Sequence, residues 1–191
     1  MPDKEDNDLI QQCLAGDEQS LELLLGKYLA PVYSFVCRYV GNSDDAKDIV
    51  QETWIKAWKH LKRFDTNKNF KPWIFSIAKN TALDALKKKK TVPFSAFENE
   101  QGENVLENTI VDPAPLPSEL LERRDIADML ERSLSGLSPQ NRAVVHLYYN
   151  EQLTFHEIAE ILGEPLNTVK SRYRRALALL RELLLKEKNN L

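Results

Sequence analysis

Residues 154–188 read TFHEIAEILGEPLNTVKSRYRRALALLRELLLKEK. Thr154 is placed as an N-cap, and Glu157 three positions later completes a capping box. A short helix carrying Ile158, Ala159, Ile161 and Leu162 is therefore predicted to run as far as Gly163. Pro165 suits the first turn of a second helix. Along that helix Val169, Tyr173, Ala176, Leu177, Leu180 and Leu184 recur at steps of three and four, while Lys170, Arg174, Arg175 and Arg181 fall elsewhere around it. One stripe packs and another is basic. From Lys170 to Lys188 seven Lys or Arg stand against two Glu, a net +5. The pattern is that of a helix-turn-helix whose second helix carries the charge to enter a major groove. The competing reading is a surface helix whose charges only solvate it. Taken alone, the motif points to duplex DNA and to nothing narrower.

The rest of the chain is also helical in pattern. Its 191 residues are 42% hydrophobic and 29% charged, with six glycines, and the apolar positions recur at helical spacing almost without alternating β-branched runs. The expected fold class is all-α. No segment reaches the roughly 18 uninterrupted apolar residues of a membrane span, and the start MPDKEDNDLI is acidic and polar. No membrane insertion and a cytoplasmic location are expected. Cys13 and Cys37 each sit in an apolar helical pattern, where a buried thiol is the ordinary reading. His60, His146 and His156 show no zinc-ligand spacing with them. With no phosphate loop and no nucleophile motif, neither a metal, a cofactor nor an enzymatic activity is expected.

A formal net charge of -3 is unusual for a nucleic-acid binder until the charges are located. Met1 to Glu22 carries a net -6 and Glu98 to Glu131 a net -8, whereas Lys56 to Lys90 carries a net +9. Attraction to phosphate acts over about a Debye length, so these patches outweigh the sum.

From the start, Leu9, Ile10, Cys13 and Leu14 predict a short helix ended at Gly16, with Asp17 capping the next. That next helix, with Leu21, Leu24, Leu25, Tyr28, Val32, Phe35, Val36 and Tyr39 in period, runs to Gly41 and must accommodate Pro31. Asn42 or Ser43 caps a third, whose apolar face is Ala46, Ile49, Val50, Thr53, Trp54, Ala57, Trp58 and Leu61. Asp48, Gln51, Glu52, Ile55, Lys56 and Lys59 are left outside. The segment KRFDTNKNFK at 62–71 is basic with Phe64 and Phe70 embedded and no evident packing duty, and Pro72 opens a fourth helix. Basic residues interleaved with aromatics suit single-stranded nucleic acid. In the fourth helix Trp73, Ile74, Ile77, Ala78, Thr81 and Ala85 read as core. Residues 93–117, with four prolines among polar residues and no apolar period, read as a linker. Ser118 opens a second unit with Leu120, Leu121, Ile126, Met129, Leu130 and Leu134 on one helix. Ser138 then caps the helix that leads into the helix-turn-helix.

At this point the residues resemble a known family. DDAKDIVQETWIKAWKHLKRF closely resembles the polymerase-binding helix of bacterial sigma factors, with D-A-x-D-I-V-Q-E-T at the same spacing. Phe70, Trp73, Ile77, Ala78, Asn80 and Asp84 match F-x-x-W-[IL]-x-x-I-A-x-N-x-x-x-D, the promoter-melting segment of the extracytoplasmic-function sigma factors. Downstream, L-S-P-x-x-R-x-V, T-x-x-E-I-A-x-I-L-G and T-V-K-S-R-x-x-R-A follow in the order of sigma region 4.

The resemblance implies sigma region 2 over 1–92, a linker over 93–117 that threads the polymerase, and sigma region 4 over 118–191. It implies contact of Asp48, Gln51, Glu52 and Ile55 with the β′ clamp coiled coil of core RNA polymerase. Phe64, Phe70, Lys71, Lys79 and Asn80 are implied around a base extruded from the nontemplate -10 strand. Asn167, Thr168, Lys170, Ser171, Arg174 and Arg175 are implied at the -35 element, where Glu164 and Pro165 depart from the commoner polar start of the helix. The implied partners are core polymerase, including its β flap, promoter DNA and an anti-sigma factor. An ordinary helix-turn-helix regulator and a sigma mimic that only sequesters an anti-sigma protein are the rival readings.

Overall fold

The computed structural model describes residues 4–91 and 129–189, and every regular element among them is helical. The expected linker at 93–117 lies outside the described residues, as do Ser118, Leu120, Leu121 and Ile126. The first four helices are α1 (Lys4–Leu14), α2 (Glu18–Val40), α3 (Ser43–His60) and α4 (Phe70–Thr91), with a single 3-10 turn at Leu61–Arg63 after α3. A helix over 129–135, α5, opens the second set. It is followed by α6 (Pro139–Tyr149), α7 (Phe155–Leu162) and α8 (Leu166–Asn189).

The helix ends follow from side-chain chemistry. Asp17 accepts a hydrogen bond from the Ser20 backbone N–H at 3.0 Å, and Asn42 does the same for Asp44 at 2.9 Å, each satisfying a donor that the first turn of a helix leaves open. Gly41 and Gly163 close α2 and α7 at φ of +77° and +66°, the left-handed region where a Cβ is unfavourable. Pro31 is held within α2, which continues on both sides of it.

α1 is fixed to α2 by a buried carboxylate. Asp6 receives the Lys27 ammonium at 2.6 Å and the Tyr28 hydroxyl, so its charge is compensated where it lies. α2, α3 and α4 then bury Leu24, Val32, Phe35, Ile49, Val50, Ile74 and Ala78 against one another. Two expectations are corrected. Trp58 is not core but 52% exposed, because the α2 face opposite it ends in a groove. Phe70 is not a free loop aromatic but 1% exposed, packed edge-on to Tyr28 at 5.3 Å.

The second set does not stand apart. One continuous cluster runs from Ile10 to Val169 and includes Val144, Leu147, Ile158 and Leu162, with a smaller one of Leu137, Val145 and Ala176 beside it. Phe35 of α2 meets Phe75 of α4 at 5.3 Å and stacks on His146 of α6 at 6.3 Å, so α6 lies on α2 while α7 lies on α4.

His146 makes this packing sensitive to acid. Burial above all, then the positive charge of Arg38, pulls its imidazole from 6.5 down to about 4; Asn150 raises it somewhat and Lys71 lowers it further. Glu151 stands 3.5 Å from Nε2. A group whose packed-state value is depressed in this way contributes nothing well above pH 6.5, where both states are neutral. As pH falls from about 6.5 toward 4 the unpacked state takes up the proton first and the packed state loses ground. We expect a loss of about 2 kcal/mol by pH 5. Thermal melts between pH 7 and 5 should show this decline, and His146→Leu should flatten it.

Candidate nucleic-acid interface

The helix-turn-helix is built as its sequence dictates. The Thr154 hydroxyl accepts from the Glu157 N–H at 3.3 Å, and the Glu157 carboxylate accepts from the Thr154 N–H at 2.9 Å, which is a complete capping box. Burial works against the Glu157 charge, but the bonds from Thr154 and a further one from Asn69 hold its carboxyl below the ordinary range. Pro165 sits just before α8 rather than in its first turn, and its carbonyl accepts from Thr168 and Val169. Val169 and Ala176 are fully buried on the inner side. On the outer side Asn167, Ser171, Arg174 and Arg175 are exposed, and Thr168 and Lys170 are half-buried beside them.

Arg172 has a different role. Its guanidinium grips the Glu164 carboxylate through Nε at 3.1 Å and Nη2 at 2.9 Å, and Nη1 donates to Gln140 at 2.8 Å. Such a bidentate pair is geometrically rigid. The acid before the helix, unusual in sequence, is thereby explained: Glu164 holds Arg172, which braces α8 against α6 through Gln140. The Tyr173 phenol, pushed up to about 12 by burial and by its bond to Tyr149, belongs to the same support, with Tyr148 and Phe155 at 4.8 and 5.1 Å.

The segment between α3 and α4 is a shaped loop. The Asp65 carboxylate accepts from the backbone and side-chain nitrogens of Asn67, both at 3.0 Å, and Asn7 Nδ2 donates to the Thr66 carbonyl at 2.8 Å. These bonds fix the tip, and the Asn67 N–H holds the Asp65 carboxyl below its usual range. Phe64 and Phe70 are turned inward, at 5.1 and 5.4 Å from Trp73. The expectation that this loop has no packing duty is corrected: both rings serve the core that holds the loop. What the loop presents is polar. A cavity of about 630 Å³ is lined by Asn67, Lys68, Asn69 and Trp73, with Glu157 and Glu160 of α7 closing it. Asn67, Lys68 and Asn69 are visible in sequence as the polar tip, but nothing there says that they, rather than the aromatics, face the cavity. Lys71 is engaged with Glu151 at 2.8 Å, and Lys79 reaches Asn80 at 3.3 Å on the exposed side of α4.

α3 presents a third surface. Asp48, Gln51 and Glu52 are exposed, and Glu52 pairs with Lys56 at 2.9 Å, whose hydrogen bond holds the carboxyl low. Beside them Ile55 is 48% exposed and, with Trp58 and Leu29, edges an apolar groove of about 850 Å³ between α2 and α3. No helix among the described residues is long and apolar enough to cross a membrane.

Residues 24–92 match the model of Sigma-70 region 2, and residues 133–182 that of Sigma-70, region 4. The chain is 31% identical to the ECF RNA polymerase sigma factor SigW of Bacillus subtilis (strain 168), over 92% of this chain and 94% of that one. It is 31% identical to the ECF RNA polymerase sigma-E factor of Salmonella typhimurium (strain 14028s / SGSC 2262), over 90% of each. Its fold is similar to that of the sigma factor RpoE solved with the anti-sigma factor NepR from Bartonella quintana. The TM-score is 0.65 at 23% identity, over 87% of this chain and 97% of that one.

Packing and reading should separate under mutation. Phe70→Ala is expected to cost about 3 to 5 kcal/mol of stability, as for a buried aromatic. Lys68→Ala, at the exposed tip, should stay within about 0.5 kcal/mol of the parent. Urea unfolding of the two variants checks the contrast.

Proposed function

Because the chain belongs to the ECF RNA polymerase sigma factors of the sigma-70 family, we propose that its three surfaces divide the work of promoter recognition and opening. Sigma factors are initiation factors and catalyse nothing themselves. This one recognises a promoter for the polymerase and initiates transcription. In our reading it acts in the cytoplasm, with Asp48, Gln51, Glu52 and Ile55 of α3 docked on the β′ clamp coiled coil of core polymerase. The second region, as proposed, meets the β flap.

The observation that carries the DNA-reading part is the row on α8. Lys170, Ser171, Arg174 and Arg175 lie along one outer side, while the neighbouring Arg172 is committed to Glu164. An arginine held by a carboxylate keeps the helix in place, and the remaining row is available to base edges and phosphates of a -35 element in the major groove. Asn167 and Thr168 at the helix start are assigned to the backbone. The loop before α4 takes the melted -10 strand, its cavity receiving one extruded base between Asn67, Lys68 and Trp73, with Lys79 and Asn80 alongside. Lys71 would join the contact once released from Glu151. Phe64 and Phe70 act from beneath, by keeping the loop rigid. Extrusion costs a few kcal/mol, which contacts in the cavity offset only after melting. An anti-sigma protein is the proposed negative partner, and the apolar groove between α2 and α3 is a surface where it would compete with polymerase.

Two measurements test this division. Replacing Asp48, Gln51 and Glu52 together by Ala should leave the melting temperature within a few degrees, because the side chains are exposed and the Glu52–Lys56 pair is a surface one. Affinity for core polymerase should fall at least tenfold; an unchanged affinity would remove α3 from the contact. On α8, a base-reading residue among Lys170, Arg174 and Arg175 should, on change to Ala, relax preference at one promoter position by about 1 to 3 kcal/mol. A phosphate contact should weaken all sequences alike and lower the salt slope by about one. Binding to a promoter library at two salt concentrations sorts the three.

A further inference from the structure

The loop that would take the -10 strand is not open in this chain. Two of its donors, Lys71 and Asn69, are met by acceptors from the second region. Lys71 donates to the Glu151 carboxylate at 2.8 Å and to the Glu151 carbonyl at 2.8 Å, with the carboxylate buried and the ammonium half-buried. Asn69 Nδ2 donates to Glu157 at 3.1 Å. Glu157 and Glu160 form the α7 wall of the cavity that Asn67, Lys68 and Trp73 line from the loop side. Lys79, further along α4, has its ammonium against Gly163 at the end of α7. Thus Lys71 and Asn69 are bonded to one edge of the second region, Lys79 lies beside it, and that edge carries three carboxylates. The -35 row is left alone by the same packing: Ser171, Arg174 and Arg175 remain exposed.

Resting on the -10 assignment above, we infer that Glu151 and Glu157 stand in for the phosphates and base edge of the nontemplate strand. The free chain thereby masks its own single-strand site while leaving its duplex-reading helix accessible. Anionic oxygens at hydrogen-bond distance from Lys71 and Asn69 occupy the partners that phosphate or a base carbonyl would take. Strand and latch therefore exclude each other. Binding of the strand to a site open only a fraction of the time is weakened by that fraction. Removing the Glu151 charge takes the carboxylate partner from the half-buried Lys71 ammonium and leaves it only the Glu151 carbonyl, so the latch should weaken and the strand compete better for Lys71.

The test uses the full chain and a short, labelled single-stranded DNA of mixed sequence, read by fluorescence anisotropy. Glu151→Gln with Glu157→Gln removes the charges, while the amide oxygen introduced at position 157 can still complete the capping box. The double variant should bind the single strand about tenfold more tightly than the parent, with duplex -35 affinity unchanged. Each single variant, expected to gain about threefold, carries the test if the pair costs too much stability. Glu18→Gln with Glu22→Gln, exposed on α2, removes the same net charge and should change affinity less than twofold. Equal gains in the two double variants would overturn the latch and leave only a net-charge effect, and no gain in either would overturn it as well. Asn67→Ala with Lys68→Ala, added to the released variant, should then lose most of the single-strand affinity. If that loss occurs but release gave no gain, the latch fails and the -10 assignment stands. If release gives the gain but the loop change has no effect, the strand binds elsewhere and both fail.

Discussion

Phe35 is the side chain on which both halves of the molecule depend. It is completely buried, with Tyr39 of its own helix at 5.8 Å, Phe75 of α4 at 5.3 Å and His146 of α6 at 6.3 Å. Through these rings the four-helix unit and the helix-turn-helix unit share one apolar core instead of meeting as two finished surfaces. Aromatic pairs at such distances add to the area they bury. The consequence is positional: with α6 laid on α2, α7 falls on α4, and the edge carrying Glu151 and Glu157 meets the loop at 64–71.

Much of this can be read from the chain, because it rests on local rules. Asp17, Asn42, Ser138 and Thr154 cap the helices where their side chains can reach an open N–H, and Gly41 and Gly163 end them where φ must be positive. The stripe of α8 and the outward set of α3 follow from a period of 3.6 residues. Periodicity states that a face is apolar without stating what it meets. For that reason Trp58, in period with Trp54 and Ala57, reads as core in the sequence but stands beside an open groove. Phe64 and Phe70 depart in the opposite sense. In a basic loop an aromatic ring can stack on a base or anchor the loop, and only the position of Tyr28, more than thirty residues earlier, decides for the anchor. The pairing of Lys71 with Glu151 is equally beyond the sequence, because 80 residues separate the two and no local pattern links them.

The surfaces proposed to read DNA are held by residues engaged elsewhere in the fold. Arg172 carries the same charge as Arg174 and Arg175 but is occupied by Glu164 and Gln140, which fixes the pitch of α8 against α6. Phe70 and Trp73 fix the loop, leaving Asn67 and Lys68 at its tip. In each case the holding partner is packed or bidentate and the proposed reader stands on a rigid element, which is the arrangement that keeps binding groups in register.

The polar character of the seam between the two units bears on how it can be undone. An entirely apolar seam would have to be separated before anything else could bind, since no group of a nucleic acid competes for Phe35 or Val144. Carboxylates on Lys71 and Asn69 are different. They lose hydration when buried, so the net gain from the pair is small even though its geometry is good. A phosphate arriving at the half-exposed ammonium restores the same charge balance, while Glu151 returns to water. Charge is exchanged for charge and the donors are never left unmet. His146 adds a second weakness at the same seam, because its buried imidazole must stay neutral beside Arg38. A contact held by exchangeable acids at its rim and by one titratable ring in its core is suited to opening in stages, rim first. That order frees the loop before the rings around Phe35 need to part.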